Sequence, residues 1–106
     1  MSELGDLRRK FSRMFHMLQT RVYELGYEVA LDFAKRCEKC PVGKVNSLHK
    51  LGLAIDIHLY MGGVYLDKTE DHLELGKYWE SIGGSWGGRF SKADGNHYSL
   101  EYKGMR

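Results

Sequence analysis

Asn46-Ser47-Leu48-His49-Lys50-Leu51-Gly52-Leu53-Ala54-Ile55-Asp56 is the stretch that decides how this chain reads. A His and an Asp stand seven residues apart, with a small-residue Gly-x-Ala step between them. The run predicts a loop that delivers His49, then a strand that starts near Leu51 and carries Asp56. Successive strand residues alternate between faces, so Ala54 and Asp56 share one face and Leu53, Ile55 and Ile57 take the other. A carboxylate in an otherwise apolar strand is costly to bury unless it is paired or binds a metal. His49 and Asp56 therefore read as two ligands of one metal ion, and the rest of the chain must supply a third ligand and a base.

Working outward, residues 27–35 alternate strongly enough for a half-buried strand, followed by a loop over 37–48 with the only proline. Gly62-Gly63 predicts a tight hairpin turn, with Val64-Tyr65-Leu66 returning. Upstream, Leu7, Phe11, Met14, Leu18, Val22 and Leu25 recur at helical steps, predicting an amphipathic scaffold helix over 6–25 that stops at Gly26. Its arginines and lysine read as a solvated face. Downstream, Thr69 is placed as the N-cap of a helix striped by Leu75, Tyr78, Trp79 and Ile82 and ended by Gly83-Gly84. A glycine-rich segment, Ser85 to Phe90, leads to Asp94-Gly95-Asn96-His97 and a short strand from Tyr98 to Tyr102. No repeat, linker or low-complexity segment interrupts this pattern, which reads as one α+β domain over residues 1–106.

The totals agree with that size. The chain has 106 residues, 42% hydrophobic and 28% charged, an ordinary globular balance. Sixteen Lys and Arg against fourteen Asp and Glu leave a net charge of +2, which does not argue for nucleic acid. The charged start lacks the apolar core of a secretory signal, and no apolar run approaches the roughly 18–20 residues that span a bilayer. The expectation is a protein made in the cytoplasm, without membrane insertion.

Three separated stretches thus offer metal-type ligands: His49, Asp56, and the pair Asp94 and His97. A catalytic zinc takes three protein ligands and leaves a position for water. His49, Asp56 and His97 supply two imidazoles and one carboxylate, a set that stays net positive and favours ionisation of water near neutral pH. Asp94, three residues before His97, can then take a proton from water and return it to a leaving amine.

Ser47-x-His49-x-x-Gly52-x-Ala54-x-Asp56, Trp86-Gly87-Gly88 and Asp94-x-x-His97-Tyr98 together resemble the zinc D-alanyl-D-alanine carboxypeptidases and L-alanyl-D-glutamate endopeptidases (VanY-type, peptidase family M15, phage endolysins included). The resemblance runs from about Tyr27 to Tyr102 and is most like the small phage members between Leu59 and Gly88. It implies a hedgehog/DD-peptidase α+β fold, with a small antiparallel sheet, flanking helices and a zinc site. It implies His49, Asp56 and His97 as zinc ligands and Asp94 as catalytic base. Arg36 matches the arginine that ends the preceding strand and would meet a substrate carboxylate or a carbonyl becoming an oxyanion. Ser47, Trp86 and Tyr98 are the candidate substrate-side residues, although Ser47 reads equally as a residue that orients its loop. The implied activity is hydrolysis of the peptide stem of peptidoglycan by a monomer. The preferred bond is L-Ala–D-Glu, reached from the cytoplasm after holin-type release. The alternatives are a D-Ala-D-Ala carboxypeptidase and an inactive virion or wall-binding protein.

Other residues have competing readings. His58 shares a strand face with Asp56 and is either a ligand in place of His49, a partner of the ligands, or a bystander lining the pocket, the last being preferred. His16 and His72 read as exposed. Trp79 suits either core or groove, whereas Trp86 leans towards the site rim. Cys37-x-x-Cys40 opens a zinc-finger reading, but eight residues separate Cys40 from His49 where a finger has about twelve.

Overall fold

The apolar stripe of the first segment builds α1, Glu3–Glu24, which buries Phe11, Met14, Leu18 and Val22. The computed structural model describes residues 3–32, 48 and 51–106. Gly26 ends the helix in the left-handed region (φ 89°), and the Tyr27 amide turns back to the Val22 carbonyl at 3.1 Å.

The chain then enters β1, Glu28–Asp32, which lies antiparallel to β2, Ala54–Met61. The predicted continuation of the first strand to residue 35 lies outside the described residues. Gly62 and Gly63 both take positive φ (58° and 81°), giving the predicted two-residue hairpin into β3, Val64–Leu66. The second strand starts at Ala54, later than predicted. Leu51 and Gly52 instead form a turn, with Gly52 at φ 75° and the Leu53 amide bonded to the Leu48 carbonyl at 2.9 Å. Arg8 of α1 secures that turn by donating from Nε to the Leu51 carbonyl at 2.6 Å.

The Thr69 N-cap is corrected too. Thr69–His72 is a 3-10 turn, and its capping carboxylate belongs to Asp71, which accepts from the Lys68 amide at 3.1 Å. The helix proper, α2, spans Leu73–Ser81 and stops at Gly83-Gly84 as predicted, with Gly83 at φ 107°. Ser85–Trp86 forms a two-residue strand, β4, that the glycine-rich composition concealed. His97–Ser99 forms β5.

The sheet runs β1-β2-β5-β4, and β3 also pairs with β2. Because β1 occupies one edge of β2, β3 and β5 lie end to end along the other. Ile55, Ile57 and Leu59 point into a core shared with α1 and α2, where Phe11 meets Trp79 edge-on at 5.7 Å. Asp56, His58 and Tyr60 therefore occupy the opposite face.

Gly76 shows how tightly α2 sits on the sheet. A Cβ there would fall 2.1 Å from the Trp86 ring. Ala favours a helix over Gly by only about 1 kcal/mol, whereas overpacking a filled core costs about 1–3 kcal/mol or more. Gly76→Ala is therefore expected to destabilise the protein by roughly 2 kcal/mol net at this severity of clash, lowering the melting temperature by about 10 °C. A melting curve equal to or above wild type would show that Trp86 can move aside.

Candidate active site

The ladder between β2 and β5 puts Asp56 opposite His97, and the ladder between β1 and β2 puts Asp32 opposite Asp56. One row across the sheet thus carries Asp32, Asp56 and His97 on the same face. Asp56 is 1% exposed and His97 7%, and His97 Nδ1 lies 3.5 Å from Asp56 Oδ1. A buried carboxylate is expensive without a positive partner, so this pair gains from a cation or a protonated ring.

Asp94 reaches the same point from a turn. The Gly87 carbonyl accepts from the Asp94 amide at 2.9 Å and from Phe90 at 3.1 Å, and the Asp94 carbonyl accepts from His97 at 3.1 Å. Trp86 Nε1 donates to the Gly95 carbonyl at 2.7 Å. These bonds fold Asp94-Gly95-Asn96-His97 over the Trp86-Gly87 strand end. A Cβ on Gly87 would meet the Asp94 carbonyl at 2.2 Å and His97 Cβ at 2.8 Å, so only glycine admits this approach. Gly95 packs as closely against Thr69, which ties the turn to the segment ahead of α2.

The result is a cluster in which one ligand-type atom from each of Asp56, Asp94 and His97 lies within 4.8 Å of the others. Two carboxylates and an imidazole are hard and borderline donors of the kind that zinc accepts, so the set present fits a divalent metal. Phe90 covers the imidazole, with ring centroids 5.4 Å apart. Arg89 then pins this segment to α2 through two hydrogen bonds to Glu80, at 3.0 and 3.1 Å.

A family model described as D-alanyl-D-alanine carboxypeptidase, of peptidase family M15, matches residues 42–100, more than half of the chain. The chain belongs to the M15 peptidases. No curated protein sequence matches it. In this M15 peptidase the matched segment contains β2, α2 and β5, and with them all three clustered residues.

Of the residues singled out in the sequence, the fold of the peptidase brings Asp56, Asp94 and His97 together. His49, Arg36, Ser47, Cys37 and Cys40 lie outside the described residues. His58 is held elsewhere: its Nε2 is 3.7 Å from Asp32 and its Nδ1 3.3 Å from the Tyr65 hydroxyl. Trp86, expected at the rim, is 3% exposed and wedged beneath the turn against Gly76 and Gly88. Tyr98, the neighbour of His97, points to the core and is fully buried, meeting Trp79 edge-on at 6.0 Å.

His72 was expected to be exposed and is 2% exposed instead. The 3-10 turn rotates it inward, where its Nδ1 and the Tyr98 hydroxyl share a hydrogen bond at 2.9 Å. Burial lowers its pKa to about 4, against the pull of Asp71 and Asp94. It also pushes the Tyr98 phenol well above its usual range. The unfolded chain binds a proton at His72 near pH 6.5, the folded one only near pH 4. This group's contribution to stability is therefore complete above pH 6.5 and is lost as pH falls from 6.5 towards 4. The full change is on the order of 3 kcal/mol. Denaturation of wild type and His72→Gln across that window should show the excess acid sensitivity in wild type only. Parallel curves would mean that His72 is protonated alike in both states.

Proposed function

We propose that this M15 peptidase hydrolyses the peptide stem of bacterial peptidoglycan, holding one zinc ion through His49, Asp56 and His97 and using Asp94 as general base. The observation that carries the reading is the meeting of a turn-borne carboxylate, Asp94, with the buried Asp56–His97 pair inside 4.8 Å. Bound there, zinc supplies positive charge that polarises a carbonyl and acidifies water. Asp94 accepts the proton from the attacking water and passes it to the nitrogen of the leaving residue. Asp56 and His97, fixed by facing strands, spend no conformational freedom in holding their geometry. Arg36, at a strand end by sequence, suits the oxyanion or a substrate carboxylate.

The preferred bond is L-Ala–D-Glu. The resemblance to small phage members over Leu59–Gly88 supports it. So does a cleft beside Asp94 with exposed residues along its edge, which lets a peptide run on past the cut bond. A D-Ala-D-Ala carboxypeptidase is the second reading, favoured by the description of the matching family. The protein would act as a single-domain monomer on the wall, reached after holin-type release. No helix among the described residues is long and apolar enough to cross a membrane.

Digestion of purified peptidoglycan, with the new termini identified by mass spectrometry, tests this. New L-Ala carboxyl and D-Glu amino termini are expected, whereas release of D-Ala alone would establish the carboxypeptidase. An intact wall of every chemotype would leave the inactive wall-binding protein as the better account.

A further inference from the structure

A cleft of about 160 Å³ opens beside Asp94, between the segment Tyr65–Thr69 and the turn Ala93–Asn96. His72 also lines it. Its lining is mostly polar, and among the described residues that form it Lys68 is the only full cation, opposed by Asp67 and Asp94. The backbone under Lys68 is fixed by the reciprocal bonds with Asp71, at 3.1 and 3.0 Å. Among the described residues Lys68 forms no ion pair, so its ammonium group is available to a ligand. The two sides of the cleft are locked together where Gly95 packs on Thr69, 2.6 Å from the position a Cβ would take.

The chemistry of the two candidate substrates narrows what enters. If Asp94 protonates the leaving nitrogen, the leaving residue must lie on the Asp94 side of the cut bond. In D-Ala-D-Ala that residue carries its carboxylate on the carbon bonded to the nitrogen. In L-Ala–D-Glu it does as well, because the glutamate continues the stem through its side-chain carboxyl. Either way a free α-carboxylate arrives next to Asp94 and needs a positive partner there.

We propose that this cleft holds the leaving residue, with Lys68 recognising its α-carboxylate and His72 offering its remaining ring nitrogen from the cleft wall. Nδ1 of His72 is already engaged by the Tyr98 hydroxyl at 2.9 Å, which leaves Nε2 as the ring nitrogen for the cleft. The assignment rests on the peptidase reading above. It makes Lys68 a specificity residue and leaves Arg36 for the developing oxyanion.

The test compares two stem peptides cut at the bond that the wild type hydrolyses, one with a free α-carboxylate on the leaving residue and one with the carboxamide. Wild type is expected to favour the carboxylate through KM by about tenfold, the lower end for a hydrogen bond to a charged group. Lys68→Ala should lose that preference while keeping its kcat on the amide and its melting temperature, and Lys68→Arg should restore it in part. A second readout is independent of turnover. The isolated leaving fragment, with its free amine, should bind wild type about tenfold more tightly than it binds Lys68→Ala, and its amide should bind both equally. If wild type cuts both peptides alike and Lys68→Ala matches it, the cleft assignment is overturned while the peptidase reading stands. If wild type cuts neither wall nor peptide and binds neither fragment, both fall together.

Discussion

Asp94→Asn is expected to keep the metal and lose hydrolysis, by about 10²–10⁴-fold in kcat, the usual contribution of a positioned proton acceptor. The amide is nearly the same size as the carboxylate, so the turn held by Gly87 and Trp86 should survive the change. What it removes is the basic lone pair that takes the proton from water. Metal content by mass spectrometry and hydrolysis of labelled peptidoglycan must be measured on the same preparation. Asp94 stands close enough to Asp56 and His97 to act as a ligand. A preparation of Asp94→Asn that had lost its metal would therefore move it from base to ligand and reopen the role of His49.

His97→Ala and Asp56→Ala should instead empty the site. Outer partners of metal ligands cost 10–100-fold in affinity when removed, and loss of a ligand itself should exceed that. The stability readout is separate from activity. A ligand that binds only the folded state stabilises it by about 2.7 kcal/mol at a hundred times its dissociation constant. Chelation should accordingly lower the melting temperature of the wild type and leave His97→Ala unchanged. Equal responses to chelator would mean that the metal, if bound, sits elsewhere. His97→Ala is the cleaner of the two variants, because Asp56 is in a central strand at 1% exposure and its loss also opens a buried void.

The grouping of Asp56, Asp94 and His97 was more legible in the sequence than the packing around it. The alternation through Ile55, Asp56 and Ile57 was enough to turn Asp56 away from the core, and the three-residue gap from Asp94 to His97 was enough to pair a turn with a strand. The first needs no distant packing, whereas the turn is also held by Trp86, Gly87 and Thr69. The burial of Trp86 and His72 and the late start of β2 depend on distant packing as well. Trp86 is buried because Gly76 and Gly88 leave room for its ring, a match between segments that no local pattern announces. His72 was read as exposed from its place near a helix start, and the 3-10 turn moved it about the axis until it met Tyr98. Gly52 looked like a strand residue by its apolar neighbours, but its positive φ makes it a turn. Lys68 gave no signal at all, since its cleft exists only once the hairpin and the Ala93–Asn96 turn are side by side.

The two tryptophans have a use that is not chemical. Trp79 donates its indole N–H to the Ser99 carbonyl at 2.9 Å, and Trp86 donates to Gly95. Both tryptophans of the chain are thus suspended from the backbone on either side of His97. Their emission reports on the few residues that would tighten when the cluster is filled. Titration of the unlabelled protein with a divalent ion can be followed by fluorescence alone, and the Trp79→Phe and Trp86→Phe variants would separate the strand's response from that of the turn.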